Sequence, residues 1–183
     1  MTLVDKNIAI LAADGFDEHQ MTEIQRALTK EKARIKIIAA EQGVVNGWHG
    51  DGWGHHFHVD APIGEALGSD FDMLVLPGGT RSADKLKQNP HTRRIVNHFL
   101  DANKPVAAIG AGVGLLALGI TLAERIVAAP ADIQADLKTA GAIVGEGEEN
   151  DGNLLTSDGA DLAGWVERTL EFFAQAEQIK AAA

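Results

Sequence analysis

Cysteine is absent from all 183 residues. That excludes disulfides, thiolate metal sites and a cysteine nucleophile. Basic residues are in deficit: 16 Lys and Arg stand against 26 Asp and Glu, a formal net charge of -10. A chain of that sign is not built to hold nucleic acid, whose phosphates reward basic patches. Long apolar runs are missing too. The first, IAILAA at Ile8–Ala13, is six residues long, too short for a membrane span, and no signal-peptide cleavage pattern follows it. These absences lead us to expect a cytoplasmic location, no membrane contact and no nucleic-acid partner.

The residues that are present read as a globular chain, 45% hydrophobic and 23% charged. The length suits one domain spanning residues 1–183, with residues 175–183 expected to fray. Apolar runs bounded by turn residues alternate with helical periodicity, the signature of parallel βαβ units. Strands are expected at Ile8–Ala13, Ile35–Ala39, Met73–Leu76, Val106–Ile109, Arg125–Ala128 and Leu154–Thr156. Met21, Ile24 and Leu28 recur at helical spacing, as do Ile95, Val96, Phe99 and Leu100 behind the cap Asn89–Pro90. Further helices are expected at Val113–Leu118, around Ile133 and Leu137, and around Leu162, Trp165, Val166 and Phe173. Val44–Asp60 breaks the pattern with the glycine-rich alternation VVNGWHGDGWGHHFHVD, a hairpin excursion. EGEEN at 146–150 reads as a solvated turn.

In open parallel sheets, ligands bind beyond the carboxyl ends of the strands. Three loops fall at such ends, Asp14–Asp17, Pro77–Arg81 and Gly110–Gly114, and they should converge. The last lies in PVAAIGAGVGLLA, a buried strand running through a tight turn into a helix. That layout presents a nucleophile, yet no nucleophilic side chain stands at the turn.

The ordered set IAILAADGF at 8–16, GVVNGWHGDGW at 43–53, FDMLVLPGG at 71–79, KPVAAI at 104–109, PADIQADLKTAGA at 130–142 and DGNLLTS at 151–157 resembles the DJ-1/PfpI family. It spans nearly the whole chain with that family's spacing. The resemblance implies a flavodoxin-like three-layer α/β/α sandwich with a mostly parallel central sheet, and a homodimer. It implies no cofactor. In the family the strand before the turn ends in a motif like AICHG, with Cys as nucleophile and His beside it. Here the residues are AIGAG: Gly110 stands at the nucleophile position and Ala111 at the histidine position. The acidic residue the family places after GF is matched by Asp17. The family's S-R is matched by Ser157–Asp158, a reversal of charge. Cysteine-dependent amidase, protease or glyoxalase activity is therefore expected to be absent.

What the resemblance leaves is an anion-friendly shell. The family's oxyanion hole maps onto the backbone N–H groups of Gly78, Gly79 and Ala111, and backbone donors need no particular side chain. A small carboxylate, oxyanion or carbonyl ligand is therefore expected among Asp17, Gly78, Gly79, Arg81, Gly110 and Ala111; the same glycines would also serve close packing alone. Asp17 doubles as a helix N-cap, with Gln20 three residues on as in a capping box. Arg81 could clamp a carboxylate or pair with surface acids.

Three rival readings remain open. Asp17 with His19 could activate water in place of the lost nucleophile. His49, His56 and His58 on the hairpin suit zinc or copper, though exposed His and Trp serve an interface equally well. GVGLLA from Gly112, with Asp132 downstream, satisfies a loose dinucleotide fingerprint, but the helix behind it is short and interrupted by Gly119.

Overall fold

The computed structural model describes residues 3–183. Its centre is a seven-stranded sheet. The first segments are β1 (Asn7–Leu11), the short β2 (Phe16–Asp17), α1 (Glu18–Lys30) and β3 (Arg34–Ala39). The hairpin β4 (Val44–His49) and β5 (Gly52–His58) follows, then β6 (Ala61–Pro62) and β7 (Met73–Leu76). Next come α2 (Thr80–Lys87), α3 (Pro90–Asp101), β8 (Val106–Ile109) and β9 (Ile126–Val127). The chain closes with α4 (Gln134–Thr139), β10 (Ile143–Val144), β11 (Glu148–Asp151), β12 (Leu154–Ser157) and α5 (Leu162–Ala182). The sheet order is β11-β12-β8-β7-β1-β3-β6, parallel throughout except for β11.

Strand residues alternate between two cores, as a period of two requires. Ala9, Leu11, Leu74, Leu76, Val106 and Ala108 pack with α3 residues Ile95 and Phe99. Ile8, Ile10, Met73, Val75, Ala107 and Ile109 pack with Met21, Ile24 and Leu28 of α1 and Trp165 and Phe173 of α5. Helices thus cover both faces, the three-layer α/β/α sandwich with a flavodoxin-like, mostly parallel sheet. The central strands are buried on both sides, so they read as unbroken apolar runs.

Four local expectations need revising. EGEEN is not merely a turn: Glu148–Asp151 forms the antiparallel edge strand β11 against β12. Its acidic side chains disguise a strand that guards the sheet's open edge with charge. The helix after the turn is a 3-10 helix from Gly110 to Leu118. Gly110, Gly112 and Gly114 weaken α-helix propensity there. The strand around Ile126 joins Ile143–Val144 in a separate two-stranded ladder and stays out of the main sheet. The segment 175–183, expected to fray, continues α5 to Ala182. Ion pairs from Lys6 to Glu177 and from Lys180 to Asp72 (3.9 Å) hold it.

Candidate functional site at the strand-end turn

The three loops meet. Asp17 N donates to Gly78 O at 2.9 Å and Gly15 N to Asn46 O at 2.8 Å. The buried Ser82 of α2 accepts from Ala13 N at 2.9 Å, tying that helix to the end of β1. Gly79 caps α2 at φ 104 and ψ 110, a conformation essentially reserved for glycine. Its Cα faces the Gly15–Asp17 backbone so closely that a Cβ would lie 2.5 Å from Gly15 O. A fourth loop joins at the end of β12, where Gly159 N donates to Ser157 Oγ at 3.1 Å.

Gly110 turns with φ +58, the left-handed backbone of an exposed elbow. A Cβ built on it would lie 3.6 Å from Gln20 Nε2 and 3.7 Å from Gly78 Cα, ordinary contacts. The place for a side chain exists, and no side chain fills it. Ala111 follows, half-buried, with only a methyl group. Gly112 is different in kind. Its Cα packs so tightly on the carbonyl oxygens of Leu76 and Pro77 that any Cβ would overlap them. Gly114 is looser: a Cβ there would meet Ile133 Cδ1 and the end of the Lys87 side chain at 3.6 Å, an ordinary contact. Gly112, the first glycine of the loose dinucleotide fingerprint, thus serves packing against the protein, not approach by a nucleotide phosphate.

Asp17 is the N-cap of α1, its Oδ1 accepting from Gln20 N at 3.0 Å. The reciprocal half of the capping box does not form. Gln20 turns away, and its Oε1 accepts from Gly78 N at 2.7 Å. The expected anion donor Gly78 is therefore engaged within the protein. Gln20 is the side chain that faces the elbow, and reading it as a capping partner missed this. The signal was helical spacing: Gln20, Ile24 and Leu28 share one stripe at intervals of four, and the last two are buried.

Arg81 lies over the hairpin. Its guanidinium stacks on Trp48, 4.3 Å from the ring centroid. Trp48 and Trp53 pair edge to face across the strands, centroids 5.3 Å apart. Arg81, which from sequence could clamp a carboxylate or pair with surface acids, makes a cation–π contact here. His19 is exposed and lines a groove of about 300 Å³ with Glu23, Leu162 and Glu167, on the outer side between α1 and α5. His56 lies opposite Asn46, His49 opposite Gly52 and His58 opposite Val44. Among the described residues, no group of three or more His, Cys, Asp or Glu is placed to hold a metal ion.

The neighbouring Glu18 was not singled out from sequence. It is buried, and its carboxylate enters the hairpin at a bulge, where Gly47 opposes Gly54 and His55. Side chains at either glycine would collide with it. Oε2 accepts from His55 N at 2.7 Å, and Oε1 contacts His55 Nδ1 at 2.5 Å. Burial alone raises the Glu18 pKa; the bonds from the His55 ring and backbone, with the charges of His55 and His49, outweigh it and hold the carboxyl below its ordinary value.

A parallel α/β sandwich with a nucleophile-type turn at its strand ends defines the class, and comparison with known proteins gives the family. The DJ-1/PfpI family model matches residues 6–171. The chain is 30% identical over 161 residues to a deglycase of Thermococcus kodakarensis, covering 87% of this chain and 94% of that one. It is 32% identical over 140 residues to general stress protein 18 of Bacillus subtilis, covering 76% and 79%. A ThiJ/PfpI domain protein from Brachyspira murdochii superposes with a TM-score of 0.83 at 20% identity, covering 94% of this chain and 98% of that one. A two-domain protein of Anabaena variabilis, with DJ-1/ThiJ/PfpI-like and ferritin-like domains, gives 0.81 at 27% identity, covering 91% of this chain and 49% of its own length. The chain belongs to the DJ-1/PfpI family. Among the described residues, no helix is long and apolar enough to cross a membrane.

Proposed function

We propose that this chain is a non-catalytic member of the DJ-1/PfpI family, a cytoplasmic binding or regulatory protein whose elbow takes a small carboxylate, oxyanion or carbonyl group. One observation carries the reading: the elbow keeps its left-handed turn and the space for a side chain, while residue 110 is glycine. A nucleophile held there would gain from exposure and a polarised setting; glycine has nothing to attack with. Relatives include proteins named deglycase and one named putative cysteine protease, and cysteine-dependent forms of such activity are not expected here. Asp17 is committed to its cap and His19 lies in a separate groove, which weighs against water activation by that pair. The hairpin, with Trp53 58% and Val44 47% exposed, is the face on which a homodimer would form.

The test is turnover of a dicarbonyl and of an amide by metal-free wild-type protein, with Gly110→Cys assayed beside it. The contacts at Gly110 are ordinary, so the variant should fold. A silent wild type is expected. Wild-type turnover that survives repurification and disappears in Asp17→Asn would establish an enzyme and overturn the reading.

A further inference from the structure

We propose that Gln20 is a built-in occupant of the elbow: its carboxamide oxygen holds, on the Gly78 N–H, the place that an external ligand's oxygen would take. The wild-type site is thereby closed to weak acceptors, and a ligand that enters it must first displace Gln20. The proposal rests on the reading of the elbow as a binding site and adds what regulates it.

The geometry assigns the amide unambiguously. Gly78 N is a donor, so the atom 2.7 Å from it is the oxygen. Nε2 then points toward Gly110 and Gly159, 3.6 and 3.8 Å from where their Cβ atoms would be. A Cβ on Gly78 would lie 2.6 Å from Gln20 Oε1, so glycine at 78 is what admits the carboxamide. The group thus sits among three glycines, on Gly78 by its oxygen and over Gly110 and Gly159 by its nitrogen.

A planar group with one oxygen on that backbone N–H is the image of a bound carboxamide or carboxylate. Because Gln20 is held by α1, its effective concentration at Gly78 exceeds that of a free ligand at millimolar levels. A weak external acceptor therefore loses the competition. Truncating Gln20 to alanine removes a fragment with the shape of acetamide, and leaves a gap of that shape. Acetamide and acetate are accordingly the probes, one neutral and one anionic with the same outline.

The experiment follows the Gly78 amide by ¹⁵N NMR in the wild type, Gln20→Ala and Gln20→Met. Methionine keeps the length and helix propensity of glutamine without the acceptor, so it serves if the alanine variant folds poorly. Hydrogen exchange at Gly78 should be roughly tenfold faster in the variants, as for the loss of one hydrogen bond. Acetamide or acetate should shift the Gly78 resonance in Gln20→Ala and leave the wild type unmoved. Equal exchange in all three proteins, or an acetate shift as large in the wild type as in the alanine variant, overturns the proposal. Faster exchange with no shift from either probe would uphold the Gln20 bond and overturn the ligand-binding reading beneath it.

Discussion

Gly110 and Gly112 stand two residues apart on one turn, and alanine should be costly at each for a different reason. At Gly110 the cost is conformational. The backbone is left-handed at φ +58, and the new Cβ would meet Gln20 Nε2 at 3.6 Å and Gly78 Cα at 3.7 Å without overlap. An L-residue in that region costs about 1–2 kcal/mol. The stiffer unfolded chain offsets about 0.4–1 kcal/mol of it. The net loss is about 1 kcal/mol, or roughly 2–4 °C in Tm for a chain of this size. At Gly112 the cost is steric. The Cβ would overlap the Leu76 and Pro77 oxygens and lie 2.9 Å from Leu76 C. Those atoms end a central strand and can move only with it. Overpacking of that kind costs about 3 kcal/mol, the upper end of its usual range, or roughly 6–12 °C. Urea unfolding followed by tryptophan fluorescence and by circular dichroism, with m-values compared, measures both. If Gly110→Ala proved the more damaging, or Gly112→Ala were neutral, the view of the turn as a vacant side-chain place braced by packed glycines would be refuted.

Glu18→Ala should destabilise by about 2–3 kcal/mol, because a buried carboxylate with bonds to His55 is lost and a cavity is left, as read by urea unfolding. Its pKa is lowered in the fold, so its stabilisation is full above the unfolded value of about 4.3. That contribution fades as pH falls from there through the folded value. The wild type minus Glu18→Gln difference in unfolding free energy should therefore shrink as pH falls below about 4.3; a difference that instead grew over that acid range would show the sign to be wrong. Arg81→Ala removes the stack on Trp48. It should cost about 0.5–1 kcal/mol and change the tryptophan emission; unchanged emission would mean that the stack does not persist in solution.

The fold was legible because its central strands are apolar on both faces and its helices carry clear stripes and caps. Asp17 and Asn89 announced their helices, and both accept the expected backbone hydrogen bonds. β11 was hidden because an edge strand of acidic residues carries no apolar period. At the site, residue types gave the vacancy at Gly110, and loop positions at strand ends gave the convergence. The direction of a side chain within a helix's first turn was not legible. Gln20 satisfies a capping-box pattern, and only the approach of the Gly78 loop draws it elsewhere. Glu18 escaped notice for a related reason: an acid in a first turn reads as a dipole partner. The two glycines that admit it, Gly47 and Gly54, lie far along the chain in another element.

That buried carboxylate acts on the hairpin as a key acts on a lock's wards. Only one alignment of β4 with β5 sets Gly47 against Gly54 and His55 around Glu18. A slip of one residue would drive a side chain such as that of Trp53 into the carboxylate. The hairpin's register is therefore set by a helix outside it as well as by its own two-residue turn at Gly50–Asp51. The 44–58 segment should not fold as an autonomous ribbon: it and the first turn of α1 form one cooperative unit, gained or lost together. Because Asp17 and Gln20 belong to that same turn, loosening the hairpin would also loosen the elbow.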